Sequence, residues 1–251
     1  MNKNIYLIIF SFTLILLTGF YFTSEIRSFW ISHLAHLGVM LFAGLVIVGL
    51  NNNELPNKEK AKFKIHQILT IAVGVIGLIG VINFIPVLAS KIAGIEMVRL
   101  LKSADLNRVF VTLISITVFE EIIFRRILAQ SIKNKLGLRK GVWISALIFS
   151  LVHVYSDTGL LGAFLGGAVF AYIYLKTMNI YLSIGAHLFY NLTTYFLTPI
   201  FINNFNRLNE YSIIVSVLLI GSCFIFLMYR ILRMTDKVIV EKKPADNNTY
   251  K

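Results

Sequence analysis

Residues 109–125 read VFVTLISITVFEEIIFR, and this stretch decides the fold. Extended to Gln130 it is long enough, as a helix rising 1.5 Å per residue, to cross a hydrocarbon core of about 30 Å. Yet Glu120 and Glu121 stand side by side inside its apolar part, Val109 to Phe124. A charge at bilayer depth costs several kcal/mol, so it is kept there for a task. Two later apolar segments each hold one histidine, His153 and His187. Carboxylates and imidazoles buried in one helical bundle point to chemistry on a bond inside or beside the membrane.

The rest of the chain supports this reading. Of its 251 residues 57% are hydrophobic and 14% charged, and the mean hydropathy is +0.76. Soluble domains have roughly 45–50% apolar and about 25% charged residues. The apolar runs are continuous, not alternating, which argues against a β-barrel. The fold expected is all-α: a polytopic membrane bundle. The net charge of +12 would suggest nucleic acid in a soluble protein. Here the basic residues sit between apolar spans, so they set membrane orientation and no nucleic-acid partner is expected. The single cysteine, Cys223, allows no internal disulfide and is expected to pack as a small hydrophobe.

Eight transmembrane spans are expected: Ile5–Thr23, Phe29–Leu50, Ile65–Ala89, Val109–Gln130, Val142–Tyr155, Thr158–Leu175, Ile180–Pro199 and Tyr211–Leu232. The first follows Lys3 and has no small-residue cleavage site at its end, so it reads as an uncleaved anchor. The fifth and sixth are short and should form a hairpin turning at Ser156-Asp157. The end of the fourth, with Arg125 and Arg126, should approach the headgroups. Six basic residues, Arg27, Lys91, Arg99, Lys102, Arg108 and Arg207, fall on one set of flanks, and the other 18 of the 24 fall on the opposite set. The basic-rich side is cytoplasmic by the positive-inside rule, which puts both termini in the cytoplasm. One bundle over residues 1–234 is expected, with a motif-bearing core at about 109–199 and a polar cytoplasmic tail over 235–251. The mixed segment Ala89–Arg108 is either a surface amphipathic helix or a connecting loop.

Spacing assigns the polar residues to faces. Adjacent helical residues point about 100° apart, so only one of Glu120 and Glu121 can aim squarely at a cavity. Glu121 and Arg125 are spaced i, i+4, which suits an in-helix ion pair and leaves Glu120 free to act as general base toward water. Phe149 and His153 share a face, as do His187 and Asn191. The Asn191 amide can orient His187, polarise a carbonyl or hold a water. Glu120 lies roughly 12 Å, His153 roughly 17 Å and His187 roughly 10 Å from the cytoplasmic ends of their spans. They share one layer, and a single site opening toward the cytoplasm is expected. Bland roles compete: a lone histidine often only bonds between helices, and the carboxylates would also serve an ion-coupled transporter. Gly74, Gly77 and Gly80, and the pair Gly162 and Gly166, read as close helix packing. His33, His36 and His66 sit near span ends and read as interfacial.

Three motifs in order, EExxxR at Glu120–Arg125, FxxxH at Phe149–His153 and HxxxN at His187–Asn191, resemble the CAAX protease and bacteriocin-processing (CPBP, or Abi) intramembrane proteases. The resemblance covers about Thr117 to Asn191. It implies an eight-helix-type bundle with a cavity open to the cytosol, and hydrolysis of a peptide bond in a membrane-associated peptide or protein. It also implies that Glu120 activates water, with Glu121 and Arg125 in support, that His153, His187 and Asn191 complete the site, and that Phe149 packs its wall. The family is commonly labelled metalloprotease. Glu120, His153 and His187 would supply the three ligands of a catalytic zinc, but no HExxH is present and a dedicated ligand loses basicity. A metal-free glutamate mechanism is the preferred expectation, with zinc left open. A bacteriocin-immunity or scaffold role in the same fold is the alternative. The Ile-, Asn- and Lys-rich composition points to a bacterial cytoplasmic membrane.

Overall fold

The computed structural model describes residues 3–50, 64–94, 106–155, 159–205 and 210–241. All regular structure among them is helical, in eight continuous runs. The first three are α1 (Lys3–Ser24), α2 (Phe29–Leu50) and α3 (Ile65–Ala93). The fourth run joins α4 (Leu106–Glu120), a π-helical segment (Glu121–Ala129) and α5 (Gln130–Leu136). Then come α6 (Leu138–Val152), ending in a 3₁₀ turn His153–Tyr155, and α7 (Leu160–Thr177). The last two are α8 (Ile180–Phe205) and α9 (Tyr211–Glu241). Helix α9 continues beyond Thr235, where the polar tail was expected to begin. The turn expected at Ser156-Asp157 and the middle of Ala89–Arg108 lie outside the described residues.

Six helices are long and apolar enough to cross a membrane: α1, α2, α3, α6 with its 3₁₀ turn, α7 and α9. The other two runs, Leu106–Leu136 and α8, are long enough but carry the polar residues that the motifs single out. Exposed Leu7, Phe10, Phe22, Leu34, Phe42, Leu69, Leu147, Leu219 and Phe226 clothe the outside in side chains suited to lipid.

Local chemistry sets where the site-bearing helices start and stop. Gly137 has φ +87°, a conformation costly for any residue with a Cβ, and turns the chain from α5 into α6. Asn179 caps α8: its Oδ1 accepts the backbone N–H groups of Tyr181 at 3.0 Å and Leu182 at 3.3 Å. That cap fixes the start of the helix carrying His187 two turns later.

Packing forms two large apolar clusters. One joins α3, α6, α7, α8 and α9 around Leu78, Ile173 and Tyr174; the other joins α1, α2, α6 and the fourth run around Phe12, Met40 and Phe124. Helices α3 and α9 cross backbone to backbone, because a Cβ on Gly221 would sit 2.7 Å from the Gly77 carbonyl oxygen. Gly74 and Gly80 face Met228 and Val217 of the same helix, so this glycine stripe packs as expected. Of the second pair, Gly162 packs as expected, with a Cβ there 3.1 Å from Ile82 of α3, whereas one on Gly166 would meet only Phe170 of its own helix, and Gly167 instead makes the approach to Ala146 and Phe149 of α6. Cys223 faces outward and is exposed, contrary to the packing expected of it.

Candidate active site

The fourth run delivers both carboxylates and sends them to different partners. At the α-to-π junction Glu120 points into a cavity and is 7% exposed, while Glu121 is fully buried. Glu121 is held from three directions. Arg125 Nε stands 3.3 Å from its Oε1, the i, i+4 pair that the spacing suggested. His187 Nδ1 donates to the same oxygen at 2.8 Å, and the Ser183 hydroxyl donates to Oε2.

Arg125 lies deep in the bundle at 0% exposure, not at the headgroups. The reason is its partner: a buried Glu121 draws the cation inward. Its guanidinium lies 4.3 Å from the centroid of the Phe149 ring and about 6 Å from Phe124 and Phe170. None of its three side-chain nitrogens has a hydrogen-bond partner among the described residues. The ion pair and the ring faces are what offset its burial.

The two histidines present the same edge to Glu120. His153 donates from Nδ1 to the Phe149 carbonyl at 2.7 Å, which leaves its Nε2 3.5 Å from Glu120 Oε1. His187, its Nδ1 spent on Glu121, places Nε2 3.9 Å from Glu120 Oε2. Phe170 stacks on His187 with centroids 4.4 Å apart, and Phe149 packs against His153 at 4.2 Å. Each ring is thus fixed by a bond at Nδ1 and an aromatic face. Both Nε2 separations are too long for direct hydrogen bonds and suit a small polar group held between.

Asn191 lines the same cavity, and its amide donates to Thr117 Oγ1 at 2.9 Å. It therefore does not orient His187, the role offered for it from spacing; Glu121 does. The cavity has a volume of about 310 Å³, and its wall includes Glu120, His153, Asn191, Thr117, Thr112, Thr23, Ser32 and His36.

Three contributors were not foreseen. Ser183 and Thr117 hold Glu121 and Asn191, but a lone hydroxyl in an apolar span more often bonds its own helix backbone, so nothing marked them. His36, read as interfacial, stacks on Phe20 at 3.7 Å, lies 3.4 Å from the Thr23 hydroxyl and lines the cavity. Only tertiary packing of α2 against α1 brings it there. His33 instead meets Ser115 Oγ at 3.0 Å, joining α2 to α4, and His66 lies exposed at the start of α3.

The cavity runs from Glu120 toward Ser24, Ser32 and Tyr155, away from Arg125 and the basic residues that follow it.

Glu120, His153 and His187 have the right donor types for zinc. No cluster of three or more His, Cys, Asp or Glu side chains arranged to hold a metal ion occurs among the described residues.

Residues 102–193 match the family model for type II CAAX prenyl endopeptidase Rce1-like proteins. No curated protein and no solved structure matches the chain. The matched segment contains Glu120, Glu121, Arg125, Phe149, His153, His187 and Asn191, and over it the chain is similar to the CPBP/CAAX protease family, as the three motifs implied.

Proposed function

We propose that this chain is an intramembrane endopeptidase that cleaves a peptide bond of a membrane-associated peptide or protein. The observation that carries the reading is the convergence of His153 Nε2 and His187 Nε2 on the Glu120 carboxylate, which lines a cavity. A water held among these three groups loses a proton to Glu120, and its oxygen attacks the peptide carbonyl carbon. The carbonyl oxygen becomes an oxyanion, which Asn191 and the imidazoles stabilise by hydrogen bonding. Collapse breaks the C–N bond, and Glu120 returns the proton to the departing amine.

Glu121 does not touch the reacting atoms in this scheme. It fixes the His187 tautomer by accepting from Nδ1–H, so that Nε2 faces the water. Arg125 keeps Glu121 ionised and in place. Phe149 and Phe170 wall the imidazoles and limit their rotation. Because a base committed to a metal loses basicity, the step is written through Glu120 alone, and no metal enters it.

The whole bundle is proposed to cross the membrane eight times, with Leu106–Leu136 and α8 as the two spans whose polarity serves the site. The test is a comparison of membrane peptides from cells making the wild type or Glu120→Ala at equal levels. A precursor should accumulate and its fragments disappear with the variant. Identical peptide profiles would refute the peptidase reading and favour a scaffold or immunity role.

A further inference from the structure

Two histidines line the cavity beside Glu120: His153 and His36. The proposed mechanism employs His153 and leaves His36 without work. His36 comes from α2, outside the segment that matches the family model. Ser32, His33 and His36 interrupt an otherwise apolar helix, and an imidazole inside a membrane span is costly to keep. The first two have structural partners. Ser32 Oγ donates to the Thr23 carbonyl at 2.8 Å, and His33 Nε2 meets Ser115 Oγ at 3.0 Å. His36 alone of the three histidines of α2 and α3 borders the void.

Its ring is held much as the rings of the site are held. Phe20 stacks on one face, with centroids 3.7 Å apart and planes 14° from parallel. Nδ1 lies 3.4 Å from Thr23 Oγ1. The Thr23 hydroxyl has one proton, and it donates that proton to the Phe20 carbonyl at 3.1 Å. Toward His36 it therefore acts as acceptor, so a neutral ring carries its proton on Nδ1 and a lone pair on Nε2. His153 and His187 follow the same rule, each spending Nδ1 on an oxygen and offering Nε2 to the site. With one face against Phe20 and Nδ1 on Thr23, the edge carrying Nε2 is what His36 has left to offer the cavity.

The register of α2 against α4 sets its height. The two helices run in the same direction, since Arg108 meets Phe29 and, further along both, Ser115 meets His33. From His33 to His36 is a rise of about 4.5 Å, which on α4 leads from Ser115 to Val118. His36 thus stands within about one helical turn of the level of Glu120. An extended peptide advances about 3.3 Å per residue, so that offset corresponds to roughly one or two peptide residues.

We propose that His36 is a substrate-binding residue of this site: its Nε2 accepts a backbone N–H of the bound peptide close to the scissile bond and so sets the register of the scissile carbonyl against Glu120. The proposal rests on the peptidase reading above. Every residue of a peptide except proline has such an N–H, so this contact holds the backbone and leaves side-chain choice to the rest of the wall.

The experiment uses the purified full chain and the peptide that accumulates with Glu120→Ala. His36→Phe keeps a ring on Phe20 and removes the acceptor; His36→Gln places an amide oxygen near the position of Nε2. His36→Phe should melt as the wild type does and raise KM about tenfold with kcat within about threefold, and His36→Gln should recover most of the loss. Peptides with single backbone N–H groups replaced by ester oxygen then identify the contact. At one position the ester should cost the wild type about tenfold in kcat/KM and cost His36→Phe nothing further. A wild-type KM for His36→Phe, or equal ester penalties in both proteins at every position, would overturn the proposal. So would a loss that follows a lowered melting temperature, which would make His36 a packing residue between α1 and α2. An inactive Glu120→Gln beside an unaffected His36→Phe would sink this inference alone. Identical membrane-peptide profiles for wild type and Glu120→Ala would remove the peptidase reading, and this inference with it.

Discussion

Glu120 and Glu121 are chemically identical and adjacent, yet their surroundings give them separate work. Glu121 is enclosed by Arg125, His187 and Ser183, while Glu120 alone borders the cavity. Breaking a buried pair by removing one partner costs about 3–5 kcal/mol, because the other charge is left uncompensated. Arg125→Ala should therefore lower thermal stability in detergent markedly, and Arg125→Lys should recover only part of it, since a point charge cannot lie flat on Phe149. A melting temperature within a degree or two of wild type for Arg125→Ala would contradict this picture. Asn191→Ala should leave stability almost unchanged and slow turnover by roughly 100- to 1,000-fold, the range seen when one oxyanion donor is lost. At this scale much was readable in advance. Residues that titrate are rare in apolar spans, so Glu120, His153 and His187 announced themselves, and i, i+4 spacing paired Glu121 with Arg125. Ser183, Thr117 and His36 did not, because their importance comes from which neighbour they meet on another helix, 62 residues away for Ser183 and Glu121 and 74 for Thr117 and Asn191.

At the scale of elements, the π-helical segment Glu121–Ala129 is the decisive feature. Within it Glu121, Ile123, Phe124, Arg125, Leu128 and Ala129 are all buried. Such segments recur at functional sites, where they re-aim side chains. The hydrophobic period of 109–125 predicted a plain helix, since a wider turn leaves no composition signal of its own. The glycine stripe of α3 was readable because small residues at one spacing have one main use in membranes. Which member of Gly162, Gly166 and Gly167 makes the contact depends on the crossing with α6. Substituting Gly77 by Ala should push α3 from α9 and cost about 1–3 kcal/mol by overpacking. Its readout is a lower melting temperature with turnover per folded molecule kept, because α9 supplies nothing to the cavity. Asn179→Ala should cost about 1 kcal/mol through loss of the α8 cap.

For the whole molecule, composition was enough to establish a helical membrane protein, and each expected span falls on one of the eight helical runs of the described residues, with ends that differ by up to nine residues. Six of those runs satisfy a length-and-hydropathy test without help. The remaining two fall short for the same reason that they matter, since they carry Glu120, Glu121, Arg125, His187 and Asn191. What could not be read was which side chains border the cavity, a property of the packed bundle and not of any one helix. The central claim remains the convergence of two imidazoles on one carboxylate, Glu120, at the edge of a cavity. It is tested most directly by cleavage of the peptide found in the wild-type comparison, using purified wild type and Glu120→Gln matched for folded protein. The account predicts that Glu120→Gln melts as the wild type does and loses at least about 100-fold in rate, the contribution of a general base. Turnover of Glu120→Gln within about threefold of wild type would contradict it.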